Sequence, residues 1–213
     1  MRAITQKPGL VLDIAGVLMT NLSPRFWSEL SRKCDVPINA LHTFKTYIRE
    51  DRWTGRLTEV AFWKHLCEAF PSIQKERAKR ILLETLRPLP ALEMIPHWSR
   101  YASIHLLSNH RGEWIRPLLT PVMPYLTSVT ISSEAGSCKP SPEIYQKVMQ
   151  QLCGHHPIVF IDDQVKNLKI AKTFGWHIML ADEEGKWVRR TSALLKSIEK
   201  VRGEKNIARN HKN

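Results

Sequence analysis

The chain has 213 residues, 43% of them hydrophobic and 24% charged. That is enough to bury a core in one domain carrying an insertion, and it excludes a collagen, a disordered chain and a disulfide miniprotein. The 32 Lys and Arg outnumber the 20 Asp and Glu and leave a net charge of +12, so the surface field favours anionic partners such as phosphorylated metabolites, nucleic acid or acidic lipid. No apolar run of signal-peptide length opens the chain, and no stretch approaches the ~20 apolar residues that span a bilayer. The expectation is a soluble, cytoplasmic protein with no membrane partner. Cys34, Cys67, Cys138 and Cys153 form no C-x-x-C pair and read as reduced thiols.

In chain order, the first apolar run, 10–12, reads as a strand. A long stretch without β-branched runs follows and reads as amphipathic helices. Ser23-Pro24 opens one helix. Trp53-Thr54-Gly55-Arg56 reads as a turn between helices, and Thr58 as the cap of the next. Phe62, Trp63, Leu66, Cys67 and Phe70 then fall on one helical face, a bundle core. A third helical stretch covers 72–86, and Arg87-Pro88-Leu89-Pro90 stops it. Four further apolar runs, 103–107, 128–132, 158–161 and 177–181, read as strands. Between them Ser141-Pro142 marks a helix start, and Leu168, Ala171 and Phe174 before Gly175 mark a second helix. Alternating strands and helices predict an α/β fold with a doubly wound parallel sheet. Its core covers 1–20 and 88–195, a small helical cap is inserted after the first strand over 21–87, and a basic tail covers 196–213. The tail carries six Lys and Arg against two Glu, and its end is polar enough to be disordered. Leu194, Leu195, Ile198 and Val201 offer the alternative of a packed helix.

In an open parallel sheet the ligand lies beyond the carboxyl ends of the strands. The residues there are Asp13-Ile14-Ala15-Gly16-Val17-Leu18 after the first strand, Ser108-Asn109 after the second, Lys139-Pro140 ahead of the helix that follows the third, and Asp162-Asp163 after the fourth. Singly, each has an ordinary reading: Asp13 or Ser108 as a helix cap, Lys139 as a solvated charge. Two adjacent carboxylates repel unless a cation lies between them or they face different partners. His110 and Arg111, directly after the second motif, are within reach of a substrate but read first as a solvated loop, and His155-His156 as surface on the wrong edge of the sheet.

These four motifs, in this order and each at a strand end, resemble those of the haloacid-dehalogenase-like (HAD) hydrolase superfamily with a first-type helical cap. The resemblance covers the chain up to the basic tail and implies a HAD-like Rossmannoid core. It assigns Asp13 as a nucleophile that attacks phosphorus and Lys139 as its catalytic cation. Gly16, Ser108, Asn109 and Lys139 become phosphate-binding residues. It implies a Mg²⁺ site made by Asp13, the backbone carbonyl of Ala15, and Asp163, with Asp162 ligating through water or steadying the site. Cap residues often set specificity in this family, which makes Arg52 and Arg56 candidate substrate contacts. Most phosphatases of this family carry a second aspartate two residues after the nucleophile to protonate the leaving group, although some members with glycine there are still regarded as hydrolases. Here that position is Ala15, which cannot transfer a proton. The implied function is a Mg²⁺-dependent phosphatase of a small phosphorylated metabolite, slowed by the missing acid. The alternatives are a non-catalytic HAD-scaffold binding or regulatory protein and a haloacid dehalogenase, the latter disfavoured by the acidic pair. No aromatic-basic module supports specific nucleic-acid recognition, and the tail would bind nucleic acid only weakly and without sequence preference.

Overall fold

A computed structural model describes residues 7–210. The five apolar runs form strands β1 (Gly9–Leu12), β2 (Ser103–Ser108), β3 (Leu126–Ile131), β4 (Ile158–Asp162) and β5 (His177–Leu180). All pair in parallel, in the order β3–β2–β1–β4–β5. The third strand begins earlier than the apolar run suggests and ends at Ile131, because Ser132 already opens a short helix. Successive side chains on a strand point to opposite faces, so each strand feeds two cores. Leu10, Leu12, Ile104, Leu106, Val159 and Ile161 belong to a core cluster that also holds Ile95, Trp98, Trp187 and Leu195 and continues into the cap helices. Val11, Leu107 and Phe160 pack on the other face against Ile144, Tyr145, Val148, Leu168 and Trp176.

Over the expected cap, between β1 and Arg87, the chain forms α1 (Arg25–Cys34), α2 (Ile38–Tyr47), α3 (Arg49–Thr54), α4 (Glu59–Ala69) and α5 (Lys75–Thr85). Thr58 caps α4, its Oγ1 accepting from the Ala61 N–H at 3.1 Å. Phe62, Trp63 and Leu66 are buried, each apolar side chain contributing roughly 1.5–3 kcal/mol, whereas Cys67 and Phe70 are half-buried. The turn expected at 53–56 starts later: Trp53 and Thr54 close α3, and Gly55, at φ 81°, reverses the chain. A Cβ on Gly55 would stand 2.0 Å from the Ser133 carbonyl oxygen, so the cap meets the sheet domain at backbone contact there. The connectors that leave and re-enter the sheet domain pair with each other, the Thr20 N–H donating to the Arg87 carbonyl at 2.8 Å and the Leu89 N–H to that of Leu18 at 2.8 Å.

Helices α6 (Ile95–Trp98), α7 (Gly112–Leu119), α8 (Ser132–Ala135), α9 (Pro142–Gln151) and α10 (Val165–Thr173) complete the two outer layers. The last described element is α11 (Lys186–Asn210), which runs through the boundary expected at 196. The helix continues through that boundary because Trp187, Thr191 and Leu195 bury one face of its first half. Beyond Leu195 only Ile198 and Arg202 are even half-buried, up to Glu204. Residues 211–213 of the expected tail lie outside the described residues. Among the described residues no helix is long and apolar enough to cross a membrane.

Candidate active site

Because β1 lies between β2 and β4, the ends of these three strands bring Asp13, Ser108 and Asp162 together, with Asp163 one residue further. Lys139 enters from the loop before α9 and is 3% exposed, beside Asp13 at 4% and Asp162 at 0%. Its ammonium is fully committed: it donates to the Leu107 carbonyl at 3.0 Å, to Asp162 Oδ2 at 2.6 Å and to Asp13 Oδ2 at 2.9 Å. Asp13 Oδ1 accepts from the Ser108 hydroxyl at 2.8 Å and from the Ile14 N–H at 2.6 Å. Burial works against the Lys139 charge, but the two carboxylates outweigh it and hold the ammonium above its usual range. Two carboxylates sharing one ammonium carry a net negative charge. Burial, opposed by Lys139 and helped by Asp162, pushes the Asp13 carboxyl up to about 7.

The adjacent carboxylates of Asp162-Asp163 face different partners. Asp162 turns inward: besides Lys139 it accepts from the Gln164 N–H at 2.8 Å and from Asn167 Nδ2 at 2.9 and 3.0 Å. Asp163 turns toward the β1 loop, where its Oδ2 accepts from Asn21 Nδ2 at 3.0 Å, while its Oδ1 is buried with no partner. Gly16 makes this approach feasible. It sits at φ 80°, and a Cβ there would stand 2.3 Å from Asp163 Oδ2, so both handedness and space demand glycine. Oxygens of Asp13, Asp162 and Asp163 all lie within 4.8 Å of one another.

Beside this cluster lies a cleft of about 140 Å³ lined by Asp13, Ala15, Asn21, Arg49, Arg52, Trp53, Ser108, Asn109, His110, Lys139 and Lys166, among others. Several expected roles change in this geometry. Asn109 lines the cleft, but its amide is engaged: Nδ2 donates to the Lys139 carbonyl and Oδ1 accepts from the Lys139 N–H, both at 2.7 Å. It therefore clamps the Lys139 backbone with Oδ1 and one of its two amide hydrogens. The Ser108 hydroxyl likewise serves Asp13. Of the two cap arginines, Arg52 lines the cleft and is 2% exposed. Arg56 points elsewhere, paired with Asp51 at 2.6 Å and Glu50 at 2.8 Å on the surface, in a neighbouring depression.

His110 and Arg111, expected in a solvated loop, are buried because the cap covers them. Arg111 donates through Nη1 to the Leu57 carbonyl of the cap and pairs through Nη2 with Glu113 at 2.7 Å. His110 Nδ1 accepts from the Arg111 N–H at 3.1 Å, which leaves the proton of the neutral ring on Nε2. Burial, aided by the nearby Arg52 charge, lowers its pKa to about 3 and keeps that ring neutral. His155 and His156 stay away from the cleft, His155 Nδ1 meeting the Lys7 carbonyl at 2.8 Å. Among the cleft residues that no motif announces are Asn21 and Arg49, which arrive with the expected cap, and Lys166 and Asn167 of α10, whereas His110 stands directly after the second motif.

No protein-family model and no curated protein matches the sequence. Solved structures do. A HAD-family enzyme of Bacteroides thetaiotaomicron superposes with a TM-score of 0.75 at 20% identity, over 87% of this chain and 98% of that one. A mutant of the same enzyme, solved in complex with magnesium and inorganic phosphate, gives 0.73 at 20% identity over 85% and 97%. L-2-haloacid dehalogenase of Xanthobacter autotrophicus, with chloropropionic acid covalently bound, gives 0.56 at 17% identity over 84% and 80%. At such identities the likeness concerns architecture, and the architecture of this chain is that of the HAD-family enzymes.

Proposed function

We propose that this protein is a Mg²⁺-dependent phosphatase of a small phosphorylated metabolite, working through an aspartyl-phosphate on Asp13. The observation that carries this reading is the buried convergence of Asp13, Ser108, Lys139 and the acidic pair at three adjacent strand ends. The magnesium and phosphate held by the structural neighbour from Bacteroides thetaiotaomicron support it.

The donor set suits a hard cation. Carboxylate oxygens gather within 4.8 Å, and the buried Oδ1 of Asp163 lacks any partner, a cost that a cation removes. Asp13, the Ala15 carbonyl and Asp163 would hold Mg²⁺, with Asp162 fixed behind them by Lys139 and Asn167. When bound, the ion neutralises phosphate oxygens and orients the phosphoryl group. Ser108, the Ile14 N–H and Lys139 keep the Asp13 carboxylate aimed while it attacks phosphorus and the ester oxygen departs with its electron pair. Water then cleaves the acyl phosphate and regenerates Asp13. The leaving oxygen must take its proton from solvent, because Ala15 carries none and His110 is neutral with a very low pKa. Such an enzyme turns over slowly on esters with poor leaving groups, since a positioned acid typically contributes about 10²–10⁴ in rate.

A panel of phosphorylated metabolites with Mg²⁺, run beside Asp13→Asn, tests the reading. Turnover that disappears in the variant supports it. Ala15 favours one second reading, a HAD-scaffold binding protein without turnover. Wild-type protein that binds Mg²⁺ and phosphate yet releases no product from any ester would establish that alternative.

A further inference from the structure

The cap brings into the cleft a cation that the protein leaves unneutralised. The Arg52 guanidinium stacks on Trp53, its Cζ 4.4 Å from the ring centroid, and lies 6.0 Å from that of Trp27. It is 2% exposed, its Nε and Nη1 have no hydrogen-bond partner, and no ion pair to it forms among the described residues. The charges around it have the same sign: burial, and then Arg49 and Arg111, lower its pKa to about 10, so it stays charged. A second donor stands beside it. His110 carries its proton on Nε2, which is also buried without a partner, and its ring lies 6.2 Å from that of Trp53. Buried charges and donors left unpaired are costly, and both line the same cleft as Asp13. Lys139 and Ser108 already spend their donors on the protein, so Arg52 and His110 are buried donors of the cleft that still lack an acceptor.

We propose that Arg52 and His110 together receive a carboxylate of the substrate, which makes the substrate a phosphate monoester of a short-chain hydroxy acid. The inference rests on the phosphatase reading, which supplies the phosphate end of the molecule. A planar guanidinium matches a planar carboxylate, and a cleft of about 140 Å³ suits a phosphoryl group, a short carbon chain and the smaller of the two common anions better than two phosphoryl groups.

Non-hydrolysable probes separate this inference from the catalytic one. Calorimetry of the full chain with Mg²⁺ compares 3-phosphonopropionate with propylphosphonate, which replaces the carboxylate by a methyl group, and with ethylene-1,2-bisphosphonate. The expected result is that 3-phosphonopropionate binds about ten- to a hundredfold more tightly than propylphosphonate, the range of charge-assisted hydrogen bonds. Arg52→Met should reduce that ratio to about one, and Arg52→Lys, which keeps the charge, should retain part of it. Equal binding of the two probes to wild type overturns the proposal and leaves the phosphatase reading standing. Preference for the bisphosphonate overturns the carboxylate. Failure of every probe and of inorganic phosphate to bind removes the phosphatase reading, and this one with it. The wild-type comparison decides the question even if Arg52→Met does not fold.

Discussion

Replacing Lys139 by methionine should damage the fold as much as the chemistry. The ammonium is the shared counterion of two carboxylates that are themselves 4% and 0% exposed, at 2.9 and 2.6 Å. After the substitution Asp13 keeps the Ser108 hydroxyl and the Ile14 N–H, and Asp162 keeps Gln164 N–H and Asn167. Hydrogen bonding is thus largely preserved, and the loss is one of charge. Breaking a buried pair while stranding its partner costs about 3–5 kcal/mol, out of a total stability of about 5–15 kcal/mol. For a chain of this length that is a fall in Tm of about 6–20 °C. The assay is urea unfolding followed by circular dichroism in EDTA, for wild type, Lys139→Met and Lys139→Met combined with Asp162→Asn. The double variant removes one stranded charge and should recover stability without recovering activity. Added Mg²⁺ should also raise the stability of Lys139→Met, because a bound cation takes over part of the lost compensation. A single variant within about 1 kcal/mol of wild type would show that the buried charges do not depend on Lys139, and the network argument would fall.

Further outcomes follow from the same geometry. Ala15→Asp should raise turnover on alkyl phosphates more than on nitrophenyl phosphate, because an alkoxide needs a proton as it leaves; a tenfold gain corresponds to about 1.4 kcal/mol, and equal gains on both would remove the missing acid as the limiting factor. Asp163→Asn should weaken Mg²⁺ binding at least tenfold in calorimetry, since Asp163 Oδ1 is the buried acceptor without a partner; unchanged affinity would take the cation away from this site. Truncation after Lys196 should leave the unfolding midpoint nearly unchanged, because between Lys196 and Glu204 no residue of α11 is buried, and should abolish any salt-sensitive nucleic-acid binding of the basic segment; a large fall in stability would show that the remainder of the helix packs.

The sheet was legible because its strands are short apolar runs bounded by turns, and the motif residues because they stand directly after those runs. Local pattern also located Thr58 and the apolar face of α4. What local pattern does not carry is contact between remote segments. His110 and Arg111 look like a polar loop until the cap arrives and Arg111 donates to Leu57, far away in sequence. The reverse holds for Arg56, whose partners Glu50 and Asp51 lie within one turn-and-a-half of helix; a charge pattern at that spacing was visible, and it outweighs the reading of a free arginine. Asn109 is a third case, since an amide that clamps a backbone and an amide that greets a ligand are the same residue in a sequence. The C-terminal segment has the composition of a solvated chain, yet a helix anchored by Trp187 and Leu195 extends beyond its packed portion once nucleated.

The inward turn of Asp162 separates two things that a string of motifs runs together. Three of the signature side chains, Asp13, Lys139 and Asp162, lock neighbouring strand ends to one another, whereas Asp163 alone reaches out of that lock with an oxygen to spare. A change at Asp163 or in the β1 loop would leave that lock intact, whereas a change at Lys139 alone would strand two buried carboxylates. In this chain the three inner side chains therefore join neighbouring strand ends whatever the site does, and the outermost carboxylate is the one whose free oxygen answers to a ligand and not to the sheet.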